Sequence, residues 1–331
     1  MTKILILGGG GMVGQKLANH LLASGLPGHK TLDITLFDMA FPLKQDGRLR
    51  CITGSLTDAQ NITMLAQLGP DIVFHLASIV SGEAESNFDA GWHVNMFTMW
   101  QYLEALRKLH TESGGTYVPK IVFTSSTAVF GGPFKEPIDD TFLSAPQTSY
   151  GAQKASCELM LSDFSRKGFV DGISLRLPTI CVRPGKANLA ASSFFSGIIR
   201  EPLNGQKAIL PVDESVRHWH ASPRAAAEFL RHAATLDSRL LENRRALNLP
   251  GVSCTVAEQI EALRRAAGQS VVNLIERRPD DTIINIVSSW PRNFTAKRAL
   301  ALGFQAEASF DEIIASYIQD DLPSAGKVNA D

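Results

Sequence analysis

The sequence is poor in cysteine, in excess charge of either sign and in long apolar runs. Its four cysteines, Cys51, Cys157, Cys181 and Cys254, form no CxxC pair and no metal-ligand spacing, so we predict reduced cysteines and no metal site. A net charge of −1 without a basic stripe argues against nucleic acid as a partner. No apolar run approaches the ~20 residues of a membrane span, and the short N-terminal run does not predict a signal peptide. We therefore expect a cytoplasmic protein without a membrane partner.

Strand-like and helix-like segments alternate through the first half of the 331-residue chain. The pattern predicts strands at 3–7, 33–38, 49–53, 71–75, 120–124 and 172–177, and helices at 15–23, 58–68, 88–109 and 150–167. Repeated β–α units indicate an α/β fold, a Rossmann-type doubly wound parallel sheet with helices on both faces. We expect this domain over 1–178, a smaller C-terminal substrate lobe mainly over 179–319 with some segments returning to the sheet, and a frayed tail over 320–331.

A glycine-rich turn follows the first predicted strand and precedes the first predicted helix. In this turn Gly8 allows a tight bend, Gly11 allows backbone to approach a pyrophosphate, and Gly14 allows helix and strand to pack closely. Met12 and Val13 belong to the same loop, and the N-terminus of the helix that follows offers unpaired N–H groups to phosphates. The pattern predicts a dinucleotide site.

An acid at the end of the second predicted strand supports this interpretation. Asp38 occupies the position from which a carboxylate accepts hydrogen bonds from the adenosine ribose. A carboxylate there repels a 2′-phosphate, and no Arg or Lys stands beside it. The expected cofactor is therefore NAD rather than NADP.

Tyr150 and Lys154 lie four residues apart on one face of a predicted helix. The ammonium group favours the phenolate form of the tyrosine. Ser126, which follows the predicted strand 120–124, supplies a hydroxyl for the substrate oxygen. Together the three side chains predict a proton-transfer device for alcohol–carbonyl chemistry, with Tyr150 as the general base.

These motifs resemble the extended short-chain dehydrogenase/reductase family, which includes nucleotide-sugar epimerases and dehydratases. The resemblance is carried by GGGGMVG at 8–14, Asp38, HLAS at 75–78, Asn95, TSSTAVFG at 124–131, YGAQK at 150–154 and RLPT at 176–179. It implies that Ser126, Tyr150 and Lys154 are catalytic. It also implies that the cofactor is contacted by Ser55, Leu56, Leu76, Ala77, Ser78, Asn95, Thr124, Tyr150, Lys154 and Pro178, in addition to the glycine loop and Asp38.

The chain departs from nucleotide-sugar enzymes where those enzymes hold the nucleotide. Thr179 replaces their asparagine, and Arg217–His220 only partly matches their arginine-led segment. Segments 81–85, 176–186, 190–194 and 199–202 and Trp290–Pro291 are instead similar to the D-erythronate dehydrogenase branch of the family. That similarity implies NAD-dependent oxidation of a small sugar acid at its C2 hydroxyl, giving a 2-oxo acid.

A small acid requires a cation for its carboxylate. Arg183 is the first candidate and Arg217 the second, because a guanidinium binds a carboxylate with two parallel hydrogen bonds. The remaining candidates for substrate contact are Ser81, Glu83, Ser126, Thr179 and Ser192. His218 and His220 share one face of a predicted strand, and we assign them a structural or substrate-contacting role rather than a metal.

Two other functions stay open from the sequence. One is a nucleotide-sugar epimerase or dehydratase that holds NAD tightly through its cycle. The other is an NAD-binding sensor without turnover, although such proteins typically lose the tyrosine or the lysine. A homodimer also stays open, because pairing through two helices is common in the family.

Overall fold

The computed structural model describes residues 1–43, 45–134, 137–185 and 190–322. Within these residues the strands are β1 (Thr2–Leu7), β2 (Leu32–Asp38), β3 (Arg50–Thr53), β4 (Ile72–His75), β5 (Lys120–Ser126), β6 (Asp171–Leu177), β7 (Thr179–Ile180), β8 (Ala208–Leu210), β9 (Arg217–Ala221), β10 (Ala246–Asn248), β11 (Val252–Thr255) and β12 (Ile275–Arg277). The helices are α1 (Met12–Ser24), α2 (Ala59–Gln67), α3 (Ser81–Ser86), α4 (Phe88–Trp92), α5 (Thr98–Glu112), α6 (Ser149–Arg166), α7 (Ser193–Leu203), α8 (Pro223–Thr235), α9 (Val256–Ala267), α10 (Gln269–Val272), α11 (Asp281–Ser288), α12 (Lys297–Ala301) and α13 (Phe310–Asp320).

A seven-stranded parallel sheet runs through the centre of the molecule in the order β10-β6-β5-β4-β1-β2-β3. Successive strand residues point to opposite faces, so β1 places Ile4 and Ile6 in one apolar core and Leu5 and Leu7 in the other. Helices α1 and α8 cover the first face, and α2, α5 and α6 cover the second. The protein therefore has the predicted Rossmann-type α/β fold.

The strand order reverses between β1 and β4. Ligands of doubly wound sheets bind at such a reversal, beside the carboxyl ends of the strands. The glycine loop follows β1, residues 76–80 follow β4, and Ser126 ends β5. The fold thus brings together segments that are far apart in the sequence.

The second part of the chain forms a smaller layer beside this edge. A three-stranded sheet, β11-β9-β7, packs with α7, α9 and α13 around an apolar cluster that includes Phe195, Ile260 and Ile313. Two elements beyond residue 178 nevertheless belong to the central sheet layer. Strand β10 pairs with β6, and α8 packs against α1 with Phe229 and Leu230 in the first core.

The helix predicted over 88–109 is helical throughout, but it is not α-helical throughout. Helices α4 and α5 are separated by a wider π-helical turn at His93–Phe97, which turns the amide of Asn95 into the interior. At the other end of the chain, α13 extends to Asp320, and residues 323–331 of the predicted tail lie outside the described residues. In the part of the chain that the structure describes, no helix combines the length and apolar character needed to cross a membrane.

Candidate active site

The glycine loop is shaped by backbone contacts that exclude side chains. Gly8 has a φ of 87°, and a Cβ at this position would lie 2.6 Å from the amide nitrogen of Ala77. A Cβ on Gly14 would lie 2.3 Å from the carbonyl oxygen of Gly8. Gly11 differs, because its nearest neighbour would be the Gly8 oxygen at 3.5 Å. The space beside Gly11 is therefore open, as a bound pyrophosphate at a helix N-terminus requires.

Asp38 is held beside this loop by two backbone donors. The amide of Gly10 donates to one carboxylate oxygen at 2.9 Å, and the amide of Met39 donates to the other at 2.7 Å. Gly54 donates its N–H to the Asp38 carbonyl, so the segment that carries Ser55 and Leu56 adjoins the same edge. The carboxylate of the half-buried Asp38 is thereby fixed next to the glycine loop.

Ser126 ends β5 with its hydroxyl oxygen accepting from the amide of Ala128 at 3.1 Å. That bond leaves the hydroxyl proton available for a second acceptor. Its neighbour Ser125 is committed elsewhere, because its hydroxyl donates to the buried Glu158 carboxylate at 2.5 Å. The two adjacent serines therefore differ, because the hydroxyl proton of Ser125 is bonded to Glu158 and the oxygen of Ser126 accepts from Ala128.

Helix α6 presents Tyr150 and Lys154 to the same side. Thr148 caps the helix by accepting from the amide of Gly151, which sets where the first turn begins. The Lys154 ammonium is buried, donates to the Thr124 carbonyl at 2.9 Å, and lies 5.5 Å from the centre of the Tyr150 ring. One lysine thus connects the end of β5 with the phenol on α6.

Asn95 is a buried link rather than a wall of the cleft. Its side-chain oxygen accepts from the hydroxyl of Ser78 and the amide of Ile79, at 3.0 and 2.8 Å. Its side-chain nitrogen donates to the carbonyl oxygen of the Gln153 amide at 2.8 Å. Asn95 therefore joins the segment after β4 to the helix that carries Tyr150 and Lys154.

A cleft of about 750 Å³ contains most of the predicted residues, a volume typical of ligand sites. The predicted cofactor and catalytic residues that line it are Gly8, Gly11, Met12, Val13, Gly14, Leu76, Ser78, Thr124, Ser126, Tyr150, Lys154 and Pro178. The predicted substrate residues that line it with Ser126 are Ser81, Thr179, Arg183 and Ser192. Asp38, Ser55, Leu56, Ala77 and Asn95 are absent from this lining, and the first three lie at the neighbouring β2–β3 edge.

Arg183 provides positive charge in the wall of the cleft. Its guanidinium donates to the carbonyl of Ile180 at 2.9 Å and to the hydroxyl of Ser192 at 2.8 Å. Burial lowers the pKa of the Arg183 guanidinium from its ordinary value. An arginine is still protonated at neutral pH. The cleft therefore contains a partly desolvated cation that a bound carboxylate would stabilise.

Two predicted substrate residues lie elsewhere. Arg217 donates to the Ser253 carbonyl and pairs with the Glu258 carboxylate at 3.1 Å, and it is not part of the described cleft wall. Glu83 is exposed and also absent from the wall, whereas Glu85 lines it and accepts from the amide of Ser149 at 2.9 Å. Of the two candidate arginines, the first, Arg183, lines the described cleft, and the acid in its wall is Glu85 rather than the predicted Glu83.

One wall of the cleft comes from a segment without a recognisable motif. Asn285 and Ile286 on α11, with Ser289, Trp290 and Pro291 after it, line the cleft. Only the Trp290–Pro291 pair gave any signal in the sequence. Within the described residues, no three His, Cys, Asp or Glu side chains gather as metal ligands.

A doubly wound sheet, an open glycine loop and a Ser–Tyr–Lys set in one cleft define a nucleotide-binding α/β enzyme fold. The model of the NAD dependent epimerase/dehydratase family matches residues 4–222, and the chain belongs to this family. It is 47% identical to D-erythronate dehydrogenase of Cupriavidus necator, over 96% of this chain and 98% of that protein. It is 42% identical to D-erythronate dehydrogenase of Haemophilus influenzae, over 97% of this chain and 100% of that protein.

Among solved structures, the fold is similar to a nucleoside-diphosphate-sugar epimerase from Agrobacterium tumefaciens. The two chains share 50% identity and superpose with a TM-score of 0.92, covering 97% of this chain and 94% of the other. The names of these relatives therefore point to two different reactions on one fold.

Proposed function

We propose that this protein oxidises a small sugar acid at its C2 hydroxyl with NAD, and that D-erythronate is the substrate. The observation that carries the proposal is the presence of Arg183 and Tyr150 in one cleft. A cation for a carboxylate beside a phenol that can accept a proton suits a 2-hydroxy acid. The two D-erythronate dehydrogenases similar to this chain over nearly its whole length support the same substrate.

In the proposed reaction the Tyr150 oxygen, as phenolate, takes the proton of the C2 hydroxyl. NAD, when bound, accepts the hydride from C2, and the product is a 2-oxo acid. Ser126 donates its hydroxyl proton in a hydrogen bond to the substrate oxygen, since its own oxygen already accepts from Ala128. The hydroxyl therefore orients the reacting oxygen and stabilises negative charge on it.

Lys154 has two tasks in this proposal. Its buried ammonium stabilises the phenolate of Tyr150, and it donates to the ribose of the cofactor next to the nicotinamide. The Thr124 carbonyl uses one of its three N–H donors, which leaves donors for a ribose hydroxyl. We also propose that the glycine loop binds the pyrophosphate, because the backbone is tightly packed at Gly8 and Gly14 and the space beside Gly11 is open.

NAD rather than NADP is the cofactor we propose. The Asp38 carboxylate is fixed by Gly10 and Met39 at the edge of the nucleotide loop. A 2′-phosphate placed there would be repelled by a like charge. Ribose hydroxyls, in contrast, donate hydrogen bonds to a carboxylate.

Nucleotide-sugar epimerisation is the alternative, and the name of the Agrobacterium tumefaciens relative favours it. One residue replacement and one ion pair argue against epimerisation. Thr179 stands in the place of the nucleotide-holding asparagine, and Arg217 is bound to Glu258 outside the cleft. A sensor without turnover is also less favoured, because Tyr150 and Lys154 both line the cleft.

The test is NADH formation by purified protein with NAD and D-erythronate, in parallel with L-threonate, D-threonate and a UDP-sugar. We expect NADH with D-erythronate and none with the UDP-sugar. No NADH with any acid, together with conversion of the UDP-sugar, would move the function to the epimerase class.

A further inference from the structure

We propose that His218 is a positioning residue that makes the Thr179 hydroxyl a hydrogen-bond acceptor for a substrate hydroxyl beyond C2. This inference rests on the proposed function and deepens it, because it assigns the preference for polyhydroxy acids to one side-chain pair. Neither residue takes part in the proton or hydride transfer.

The orientation of the pair follows from a backbone carbonyl. Nδ1 of His218 lies 3.1 Å from the carbonyl oxygen of Pro291, and Nε2 lies 2.7 Å from Oγ1 of Thr179. A carbonyl oxygen can only accept, so Nδ1 carries a proton. In a neutral imidazole Nε2 is then an acceptor, and the Thr179 hydroxyl donates to it.

The neutral form of His218 is the relevant one. The ring is buried, and this burial lowers its pKa to about 4. It is also fixed in place, since Phe195 stacks on it at 5.2 Å and Trp290 packs at 5.2 Å in a tilted arrangement. The imidazole ring therefore does not flip, and it does not take up a proton at neutral pH.

The consequence concerns the lone pairs of Thr179. Its only hydroxyl proton is committed to His218, so a ligand in the cleft can only donate to its oxygen. A hydroxyl group meets this condition, whereas a phosphate or carbonyl oxygen does not. Thr179 lines the same cleft as Arg183 and Tyr150. It thus selects an acid that carries a further hydroxyl and disfavours a diphosphate.

The experiment compares D-erythronate with D-2-hydroxybutanoate, which lacks the hydroxyls beyond C2, through the ratio of their kcat/KM values. Thr179→Val removes the acceptor, and His218→Asn keeps a donor for Pro291 but is too short to reach Thr179. We expect the ratio to fall roughly 3- to 10-fold in each, as for one lost hydrogen bond. Thr179→Ser and His218→Gln retain the pair and should keep the wild-type ratio.

Loss of stability alone lowers both kcat/KM values together and does not change their ratio. An unchanged ratio in Thr179→Val overturns the proposal even if a His218 variant fails to fold. A ratio that falls in Thr179→Val but not in His218→Asn overturns the positioning role of His218.

A different result would identify failure of the proposed function instead. If the wild-type protein oxidises neither acid, the pair is judged by the rise in melting temperature that each acid causes in the presence of NAD. A larger rise with D-erythronate that disappears in Thr179→Val supports the pair, and equal rises overturn it.

Discussion

The ammonium group of Lys154 lies 5.5 Å from the centre of the Tyr150 ring, while the same nitrogen is bonded to the Thr124 carbonyl at 2.9 Å. Only 2% of this lysine is exposed, and the ring of Phe123 lies beneath it at 4.8 Å. A buried cation with one carbonyl partner is costly unless other polar groups contact it. The phenolate and the ribose that we propose would supply those contacts.

Tyr150→Phe removes the proposed proton acceptor and keeps the ring. We expect kcat with D-erythronate to fall roughly 10²- to 10⁴-fold, the usual size of an acid–base contribution. The affinity for NAD, measured by calorimetry, should stay within about threefold. Tyr117→Phe is the matched control, because that phenol donates to Pro70 away from the cleft. Substantial turnover by Tyr150→Phe would contradict the assignment.

Two glycine substitutions separate folding from nucleotide binding. Gly14→Ala places a Cβ 2.3 Å from the Gly8 oxygen, so we expect a destabilisation of about 1–3 kcal/mol in chemical denaturation. Gly11→Ala meets only the Gly8 oxygen at 3.5 Å and has an extended backbone that alanine adopts. It should unfold like the wild type but bind NAD at least about tenfold more weakly. Undiminished NAD binding by Gly11→Ala would show that no phosphate approaches this residue.

The two candidate arginines differ in what they contact. Arg183→Met removes a cation from the cleft, and we expect kcat/KM for D-erythronate to fall roughly 10- to 100-fold, mainly through KM, as for a charged hydrogen bond. Arg217→Met, outside the cleft wall, should change kcat/KM by less than about twofold. If Arg217→Met has the larger effect, the second candidate binds the carboxylate.

Asp38→Asn tests the choice of cofactor. The substitution keeps a side-chain oxygen for the Gly10 amide and removes the charge, so repulsion of a 2′-phosphate is relieved. We expect the ratio of kcat/KM with NADP to that with NAD to rise roughly 5- to 50-fold. Asp58→Asn removes a similar charge at the start of α2, where asparagine caps equally well, and should leave the ratio unchanged. The same rise in both variants would point to a general charge effect.

Most of the fold was predictable because apolar patterns of the right length repeat along the first half. The predicted strand 172–177 is β6, and the predicted helix 58–68 is α2, capped by Asp58. The π-helical turn between α4 and α5 was not predictable in the same way. Asn95 lies in the wider turn and bonds to Ile79 and Gln153, which are 16 and 58 residues away in the sequence. The pattern of apolar residues does not indicate hydrogen-bond partners that are distant in the sequence.

The site residues were predictable where a motif fixes the local backbone. They were not predictable where the direction of a side chain depends on contacts with residues distant in the sequence. Glu83 and Glu85 are two residues apart on the short helix α3, which separates their directions by about 200°. Arg217 points to Glu258 because β9 pairs with β11, just before α9 begins. No local feature of the sequence indicates that Asn285 and Ile286 would return to cover the cleft.

The pairing of β10 with β6 has a consequence for how the protein is made. The two strands are separated by about 70 residues of chain, which a ribosome adds in roughly 4–14 s. Until Ala246–Asn248 has emerged, β6 is an open edge, and until α8 has emerged, the sheet face against which Phe229 packs is uncovered. The central sheet therefore cannot be completed before the chain has been synthesised through Asn248. Premature termination anywhere between 178 and 245 would release a chain whose β6 strand has an unpaired edge, which favours aggregation over an independently folded domain.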